Sequence, residues 1–405
     1  MKKFNKVLSV AVASAMVMAM AGCGNTDNGS AATGTNAATE SAAADNGAAS
    51  GSVFKIGGIG PTTGGAAVYG LAVQHGAEIA VEEINAAGGI NGYQVEFKFQ
   101  DDEADAEKSV NAYNALKDWG AQIIDGSTTS GACIAVTDKT KEDNMFQITP
   151  SGSAVECVQY DNNFRVCFSD PNQGLASAQY IGENGLAEKI AVIYDSSDVY
   201  SSGIYEKFAK EAENQPFEIV AAEAFTADNK TDFSVQLQKA KDAGADMVFL
   251  PIYYQESALI LTQAAAMGYA PKWFSCDGMD GILGGVDNFD VSLTEGVMLL
   301  TPFAADATDD LTQSFVTKYK EKYGETPNQF AADSYDAIYV IKAAIEKSGV
   351  TPDMSVSDIC DGMKAAMTEI TVDGLTGNGM TWTADGEANK APKAVVIENG
   401  AYKAM

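Results

Sequence analysis

The stretch from Val53 to Asp102 constrains the fold of this chain more than any other segment. A short apolar run, 53–56, leads into a glycine-rich loop, 57–65, and an alternating segment at Tyr93–Phe99 predicts a second strand. Between them, small and apolar residues recur at helical spacing: Val73, Gly76, Ala77, Ala80 and Ile84. Strand, loop, helix and strand form a βαβ unit, so we expect a parallel sheet with the glycine-rich loop at its ligand-binding edge.

The composition narrows the classes of partner. The 405 residues are 46% hydrophobic, which is enough for two cores of ordinary size. A formal net charge of −29 argues against nucleic acid and against an anionic membrane surface, because both attract basic patches. The single histidine, His75, lies opposite the apolar stripe of its helix, and we expect it in solvent. One histidine leaves little room for histidine catalysis or histidine-ligated zinc, so no metal or cofactor is expected.

The amino-terminal segment predicts export and anchoring. Three lysines precede an apolar run, Val7–Ala19, that is too short to span a bilayer, and Cys23 follows shortly after it. This order resembles a bacterial lipoprotein signal, with residues 1–22 removed and a lipid on Cys23; an ordinary secretory signal is the alternative. Residues 23–52 are mostly small or polar and predict the lipidated cysteine with a disordered tether. We therefore expect an extracytoplasmic domain held at the outer face of a bacterial cell membrane.

The strand–helix alternation continues along the chain and then starts again. A second set of strands is predicted at Lys189–Tyr194, Phe217–Phe225, Met247–Pro251 and Lys272–Cys276. After Val297–Pro302, three helices are predicted at Asp309–Lys322, Gln329–Ser348 and Val356–Met367. A closing hairpin is predicted from Met380–Thr383 and Ala394–Ile397, with its turn at Asp385-Gly386. The pattern indicates an α/β protein with two lobes, each built on a parallel sheet, between which the chain crosses more than once.

Hydroxyl residues mark two neighbouring loops at predicted strand ends. The run Ser127–Ser130 lies between a strand and a helix, and Ser151 and Ser153 lie one βα unit later. Helix capping is one explanation, since Ser and Thr are preferred caps. Four hydroxyl residues in a row exceed what a cap requires, and N–H groups at a helix start bind a carboxylate or phosphate. We expect an anion site at these loops.

Asp277 follows a predicted strand of the second set and precedes Gly278. As a turn residue it would be purely structural; in a site it would face a ligand ammonium beside tyrosine rings. Tyrosines occupy comparable positions at Tyr69, Tyr200, Tyr253 and Tyr254. Packing explains any one of them, whereas four in such loops favour a binding cleft.

The motifs of dinucleotide binding and of hydrolysis are missing from the sequence. Gly64 lies one place too far for the dinucleotide fingerprint that Gly58-Ile59-Gly60 would begin, and neither G-x-S-x-G nor H-E-x-x-H occurs. Five cysteines follow Cys23 without metal spacing. Cys157 and Cys167 could pair, and the others are expected as small buried hydrophobes: Cys133, Cys276 and Cys360. We expect no enzymatic activity.

Several motifs resemble those of the Leu/Ile/Val-binding (branched-chain amino acid) family of ABC-transporter solute-binding proteins. They are Gly60-Pro61-x-x-Gly64, Tyr69-Gly70, Glu82-Glu83-Ile84-Asn85-x-x-Gly88-Gly89-Ile90-Asn91-Gly92 and Asp101-Asp102. The resemblance runs from Val53 to the carboxyl end. It implies a type I periplasmic-binding fold with two Rossmann-like lobes, three crossovers and a cleft that closes over a small ligand. The implied lobes are residues 53–171 with 302–379, and residues 172–301 with 380–405.

The resemblance also implies which residues bind the ligand. In relatives that bind amino acids, hydroxyl and small residues of two neighbouring loops hold the α-carboxylate, and an acidic residue holds the α-ammonium. The matching positions are Thr129, Ser130, Gly152 and Ser153 for the carboxylate, and Asp277 for the ammonium. The cleft aromatics match Tyr69, Tyr200 and one of Tyr253 and Tyr254. A cysteine pair that some relatives carry is missing, since Glu103 and Thr128 stand near those positions.

The implied function is that of a monomeric, lipid-anchored receptor that delivers an amino acid, branched-chain or similar, to the permease subunits of an ABC importer. Within the same fold, an amide, urea or an aromatic acid is the alternative ligand. A sensory role is a second alternative, and an extracytoplasmic hydrolase is a third, which the missing nucleophile motifs disfavour.

Overall fold

The structure, a computed structural model, describes residues 51–405 and contains two sheets. The first has five strands: β1 (Phe54–Gly60), β2 (Val95–Asp101), β3 (Ile123–Asp125), β4 (Phe146–Thr149) and β5 (Asn163–Arg165). They are all parallel and lie in the order β2-β1-β3-β4-β5. The predicted βαβ unit is confirmed, because β1 pairs with β2 over seven residues through one connecting helix.

Three helices connect the strands of the first sheet: α1 (Ala67–Ala86), α2 (Ala106–Trp119) and α3 (Ser130–Asp143). Local signals set the ends of α2. The Asp105 carboxylate accepts a hydrogen bond from the Lys108 N–H at its start, and Gly120 ends it with a φ of 93°. A 3-10 helix, Val155–Val158, follows β4 and packs against α3.

The second sheet has seven strands. They are β6 (Lys189–Asp195), β7 (Glu218–Phe225), β8 (Met247–Leu250), β9 (Lys272–Ser275), β10 (Met298–Thr301), β11 (Lys393–Glu398) and β12 (Ala401–Ala404). Their order is β12-β11-β10-β9-β8-β6-β7, and all neighbouring strands are parallel except that β11 runs antiparallel to both β10 and β12. The helices of this part are α4 (Asp170–Glu183), α5 (Val199–Ala212), α6 (Ser234–Asp242) and α7 (Tyr254–Ala266).

The chain passes between the two sheets three times, which confirms the predicted number of crossovers. It leaves the first sheet after β5, and it returns after β10 to form α8 (Asp310–Tyr323), α9 (Gln329–Ser348) and α10 (Val356–Met367). Helix α9 packs along α1 of the first sheet. The third passage brings β11 against β10 of the second sheet. The residues at which the lobes were divided in the sequence analysis stay a prediction.

The predicted closing hairpin is wrong. Residues Ala394–Ile397 lie within β11, whose partners are β10 and β12, and the hairpin turn is at Asn399-Gly400. Met380 and Trp382 form only isolated bridges, with Val372 and Ala388. A turn does form at Asp385-Gly386, but it closes this small bridged loop rather than a strand pair of the sheet.

Two further expectations change with the structure. His75 is not in solvent: its ring stacks on Tyr323 of α8 with centroids 3.6 Å apart, because α8 covers that face of α1. Helix α4 was not predicted from the sequence.

Among the described residues, the structure contains no helix with the length and apolar character needed to span a membrane. The predicted signal peptide, residues 1–22, and Cys23 lie outside the described residues, as does nearly all of the tether.

Candidate functional site

A narrow cavity lies where the carboxyl ends of both sheets face each other. Its volume, counted to its mouth, is about 240 Å³. From the first-sheet loops it is lined by Thr128, Thr129, Ser130, Ser151 and Ser153. From the second-sheet loops it is lined by Tyr200, Tyr253, Asp277 and Gly278, with Tyr69 of α1 and Phe330 of α9 completing the wall. The structure thus brings together all the sequence-predicted site residues except Gly152, which lies just behind the lining.

Thr129 presents an unpaired hydroxyl to this cavity. It is the residue before α3, it has extended backbone angles, and its side chain makes no capping hydrogen bond. Its Oγ1 is buried without a partner. The first N–H groups of α3 also lack intrahelical partners, as at any helix start. A buried hydroxyl beside free N–H groups fits an anionic group of a ligand.

Ser130 lines the cavity and also joins the two hydroxyl-bearing loops. Its Oγ accepts hydrogen bonds from the backbone N–H groups of Ser153 and Ala154, both at 3.1 Å. Ser151 Oγ donates to the Thr128 carbonyl at 2.7 Å, which ties the same two loops together. Ser130 therefore positions the second loop relative to the first.

Arg165 is a site residue that sequence reasoning missed. It is fully buried at the end of β5, and its guanidinium donates to the carbonyl oxygens of Gly152, Ser153 and Ala154. The loop is therefore held with its carbonyls toward Arg165. Gly152 fits tightly there, because a Cβ at this position would lie 2.8 Å from Thr149 Oγ1 and 3.0 Å from Cys133 Cβ.

Asp277 supplies negative charge on the opposite side of the cavity. It is only 5% exposed, and its Oδ1 accepts a hydrogen bond from the Tyr200 hydroxyl at 2.7 Å. The Asp277 N–H donates to Gln173 Oε1. Burial raises the pKa of Asp277 to about 7, against the opposing effect of the Tyr200 hydrogen bond. A cationic group of a ligand would hold this carboxyl in its charged form.

Asp170 is a second acidic residue that the sequence analysis did not identify. It is the first residue of α4 and is 1% exposed, and neither of its carboxylate oxygens has a hydrogen-bond partner. Burial raises its pKa well above the usual range, and the charge of Asp277 adds to that rise. The sequence did contain a signal, since Ser169-Asp170-Pro171 is a typical helix start, with a helix cap, an acidic residue and proline in the first turn.

Aromatic rings close the cavity across the two sheets. The Tyr69 hydroxyl donates to the Gly278 carbonyl and accepts from the Tyr254 N–H at 3.2 Å. Its ring packs on Phe330 with centroids 4.4 Å apart. Tyr253 lines the cavity and stacks on Tyr200 at 5.0 Å. The sequence did not decide which of Tyr253 and Tyr254 faces the cavity. In the structure the Tyr253 side chain lines the cavity, whereas the Tyr254 backbone N–H donates to the Tyr69 hydroxyl.

Taken together, the fold and the cavity define a two-lobed protein that encloses a small polar ligand. Residues 53–401 match the family model described as periplasmic binding protein, and the chain belongs to this family. The likeness to the Leu/Ile/Val-binding proteins predicted from the motifs is thereby confirmed. The relatives and the fold are those of substrate-binding proteins and not of enzymes, and the family implies an extracytoplasmic location.

Three relatives illustrate the likeness. The chain is 31% identical over 300 residues to Leu/Ile/Val-binding protein homolog 3 of Brucella melitensis, covering 74% of this chain and 80% of that protein. It is 30% identical over 303 residues to the leucine-, isoleucine-, valine-, threonine-, and alanine-binding protein of Pseudomonas aeruginosa, covering 73% and 79%. The crystal structure of the branched-chain amino acid transporter substrate binding protein LivJ from Streptococcus pneumoniae, in complex with isoleucine, superposes with a TM-score of 0.78. Its sequence identity is 29%, with coverage of 87% of this chain and 98% of that one.

Proposed function

We propose that this chain binds an amino acid, branched-chain or similar in size, as a zwitterion in the cavity between the two sheets, and delivers it to an ABC importer. One observation carries the proposal: a hydroxyl group with N–H donors and a carboxyl group line the same small cavity from opposite sides. On one side lie the Thr129 hydroxyl and the helix-start N–H groups of α3. On the other side lies the carboxyl group of Asp277. The buried carboxyl of Asp170 lies outside the cavity lining and interacts electrostatically with Asp277.

The energetics favour a ligand with both charges. A buried ion without a counterpart costs several kcal/mol, so a zwitterion must find an acceptor for its ammonium and donors for its carboxylate. Asp277 provides the first, and the Thr129 hydroxyl with the N–H groups at the start of α3 provides the second. A carboxylate ligand without an ammonium would leave Asp277 without a counter-charge, which argues against the aromatic-acid alternative.

The aromatic wall sets the size of the ligand side chain. The rings of Tyr69, Tyr253 and Phe330 line the cavity beside the polar groups. These surfaces favour a small apolar side chain, in keeping with the leucine, isoleucine and valine named for the relatives from Pseudomonas aeruginosa and Streptococcus pneumoniae.

The test is calorimetry of isoleucine and related amino acids with the parent protein and with Asp277→Asn. Removing one side of a buried charge pair costs about 3–5 kcal/mol, so the dissociation constant should rise by roughly two to four powers of ten. Asp306→Asn removes the same charge from an exposed position and should bind like the parent. Equal affinity of Asp277→Asn and the parent would contradict a zwitterion held at this residue.

We further propose the setting in which the receptor acts. The lipoprotein-like segment supports a lipid on Cys23 and a tether up to residue 52, which would keep a monomeric binding domain near permease subunits in the membrane. The strand memberships of the two sheets support lobes formed by residues 53–171 with 302–379 and by residues 172–301 with 380–405. Such lobes would close over the ligand by bending at the three crossovers.

A further inference from the structure

The first turn of α1 contacts the second-sheet loops at a point outside the cavity lining. Val68 is the second residue of α1, is half-buried, and does not line the cavity. Its two methyl groups face two glycines in the segment that follows β9. A Cβ on Gly281 would lie 2.7 Å from Val68 Cγ1, and a Cβ on Gly285 would lie 2.6 Å from Val68 Cγ2. The two glycines therefore form a notch that holds the Val68 side chain.

The next residue of α1 reaches the same part of the second sheet through hydrogen bonds. The Tyr69 hydroxyl donates to the Gly278 carbonyl and accepts from the Tyr254 N–H at 3.2 Å. Gly278 and Tyr254 are both buried, so these groups depend on Tyr69 for their hydrogen bonds. We name the whole set of contacts the clasp, which consists of Val68 and Tyr69 on one side and Tyr254, Gly278, Gly281 and Gly285 on the other.

The notch is fixed to the second sheet rather than to α1. The Gly285 N–H donates to the Gly281 carbonyl at 2.8 Å, which closes a tight turn. The Gly281 N–H donates to the hydroxyl of Tyr402 on β12, and Gln255 Nε2 on α7 donates to the Gly285 carbonyl. Gly281 also has a φ of 109°, which side-chain-bearing residues rarely adopt. The notch therefore moves with the second sheet, whereas Val68 moves with the first.

The clasp connects parts of the chain that separate when the cleft opens. Helix α1 joins β1 to β2 of the first sheet, and the notch follows β9 of the second sheet. Bending at the crossovers that parts the carboxyl ends of the sheets withdraws Val68 from the notch and breaks both hydrogen bonds of the Tyr69 hydroxyl. Every partner in the clasp is a protein group. Its free energy is therefore added to the closed arrangement whether the cavity is filled or empty.

We propose that Val68 sets ligand affinity from outside the cavity, because the clasp stabilises the closed arrangement of the two sheets independently of the ligand. The apparent dissociation constant equals the intrinsic one divided by the fraction of protein in the binding-competent arrangement. Weakening the clasp lowers that fraction and speeds ligand release, although no group that lines the cavity is changed. The statement about affinity rests on the proposed function, whereas the statement about closure does not.

The first experiment uses no ligand. In the double variant Val68→Cys with Gly281→Cys, the two Cβ atoms would lie 3.7 Å apart, which matches the roughly 3.8 Å mean of disulfides. The full chain is oxidised, the linkage is verified by peptide mapping, and small-angle scattering is recorded before and after reduction. The linked chain should have the smaller radius of gyration, because the linkage holds the sheets closed. Absence of the linkage, or equal radii for the linked and reduced forms, would overturn the clasp.

The parent chain treated with the same oxidant is the control for this experiment. The five cysteines among the described residues are buried and unpaired, including Cys157 and Cys167, which the sequence offered as a pair. Scattering from the parent should therefore be the same before and after oxidation.

The second experiment measures isoleucine binding by calorimetry and its release by stopped flow. Val68→Ala removes two methyl groups from a half-buried contact, so the dissociation constant should rise about fivefold. The release rate should rise by a similar factor, since affinity changes of this kind appear mainly in dissociation. Val235→Ala makes the same chemical change at a residue of α6 that is 62% exposed, and it should bind like the parent.

Gly285→Ala probes the notch from the other side. The added methyl group would meet Val68 Cγ2, so Gly285→Ala should also weaken isoleucine binding. The loss should be smaller when Val68 is already alanine, because the shortened side chain leaves room. Equal affinity of Val68→Ala and the parent, or purely additive effects of the two substitutions, would overturn the role of Val68 in affinity. No binding of any amino acid by the parent would contradict the proposed function, while the ligand-free scattering still decides the clasp.

Discussion

The pH dependence of ligand binding is the prediction that the site geometry makes most directly. Asp277 is buried and has a pKa of about 7 without ligand, whereas a ligand ammonium requires its charged form. Below pH 7 the charged fraction falls about tenfold per pH unit, so the dissociation constant should rise by the same factor. Between pH 7.5 and pH 5 the expected loss is roughly 100-fold, equivalent to about 2.7 kcal/mol of binding free energy.

The groups that face Asp277 set the direction of this effect. Tyr200 and Gln173 are neutral over this range, whereas Asp333 raises the pKa of Asp277 and Asp170 lies close enough to titrate with it. An amino acid keeps its carboxylate and its ammonium charged from pH 5 to 7.5, so the protein is the source of the change. Because the pKa of Asp277 is raised in the folded protein, ionising it destabilises the unliganded protein as the pH rises toward and through 7.

The assay is calorimetry with isoleucine at half-unit steps from pH 5 to 7.5, on the parent and on Asp277→Asn. The parent should lose affinity steadily toward low pH. The variant should bind weakly throughout with a shallower pH dependence, and any remaining slope should disappear on adding Asp170→Asn. A dissociation constant for the parent that stays constant from pH 5 to 7.5 would refute the ionic contact.

Three further predictions concern other parts of the chain. Arg165→Met should lower the free energy of unfolding by about 3 kcal/mol or more, because the buried carbonyls of the 152–154 loop lose their donor. Denaturant titration measures this change, and a loss below about 1 kcal/mol would contradict that role. Lys390→Met should lower the free energy of unfolding by about 3–5 kcal/mol, because the buried Asp333 carboxylate, 2.8 Å from Lys390 Nζ, loses its partner. Adding Asp333→Asn should recover most of the loss, and an unchanged denaturation midpoint for the single variant would contradict a stabilising ion pair. Cys23→Ala should move the protein from the membrane fraction to the medium, and unchanged membrane retention would dismiss the lipid anchor.

Local sequence signals predicted much of the fold. Helix α9 was predicted with its observed bounds, because the Asn328 side chain caps its start and Gly349 ends it in a left-handed conformation. The prediction of the closing hairpin was wrong because strand pairing depends on distant parts of the chain. The apolar, β-branched run Ala394–Ile397 indicates a strand, but its partners are set by a long-range return of the chain to β10. No local pattern encodes that choice.

The predicted site residues came together, whereas the groups that support them were missed. Arg165 and Asp170 are charged, and a charged residue in a sequence is expected at the surface unless a partner is known. Their burial depends on the packing of β5 and α4 against loops distant in sequence. Ser130 was named as a carboxylate contact because the resemblance to amino-acid-binding relatives implied it. Only the tertiary structure shows that its oxygen already accepts two backbone hydrogen bonds.

A crystal structure of the chain with isoleucine tests the central claim most directly. The account predicts one ligand in the cavity between the sheets, with its carboxylate within hydrogen-bonding distance of Thr129 Oγ1 and the Ser153 loop, and its ammonium against Asp277. Asp170 should lie close to the same ammonium, and the side chain should contact Tyr69. A ligand in the reversed orientation, or one bound outside this cavity, would contradict the account.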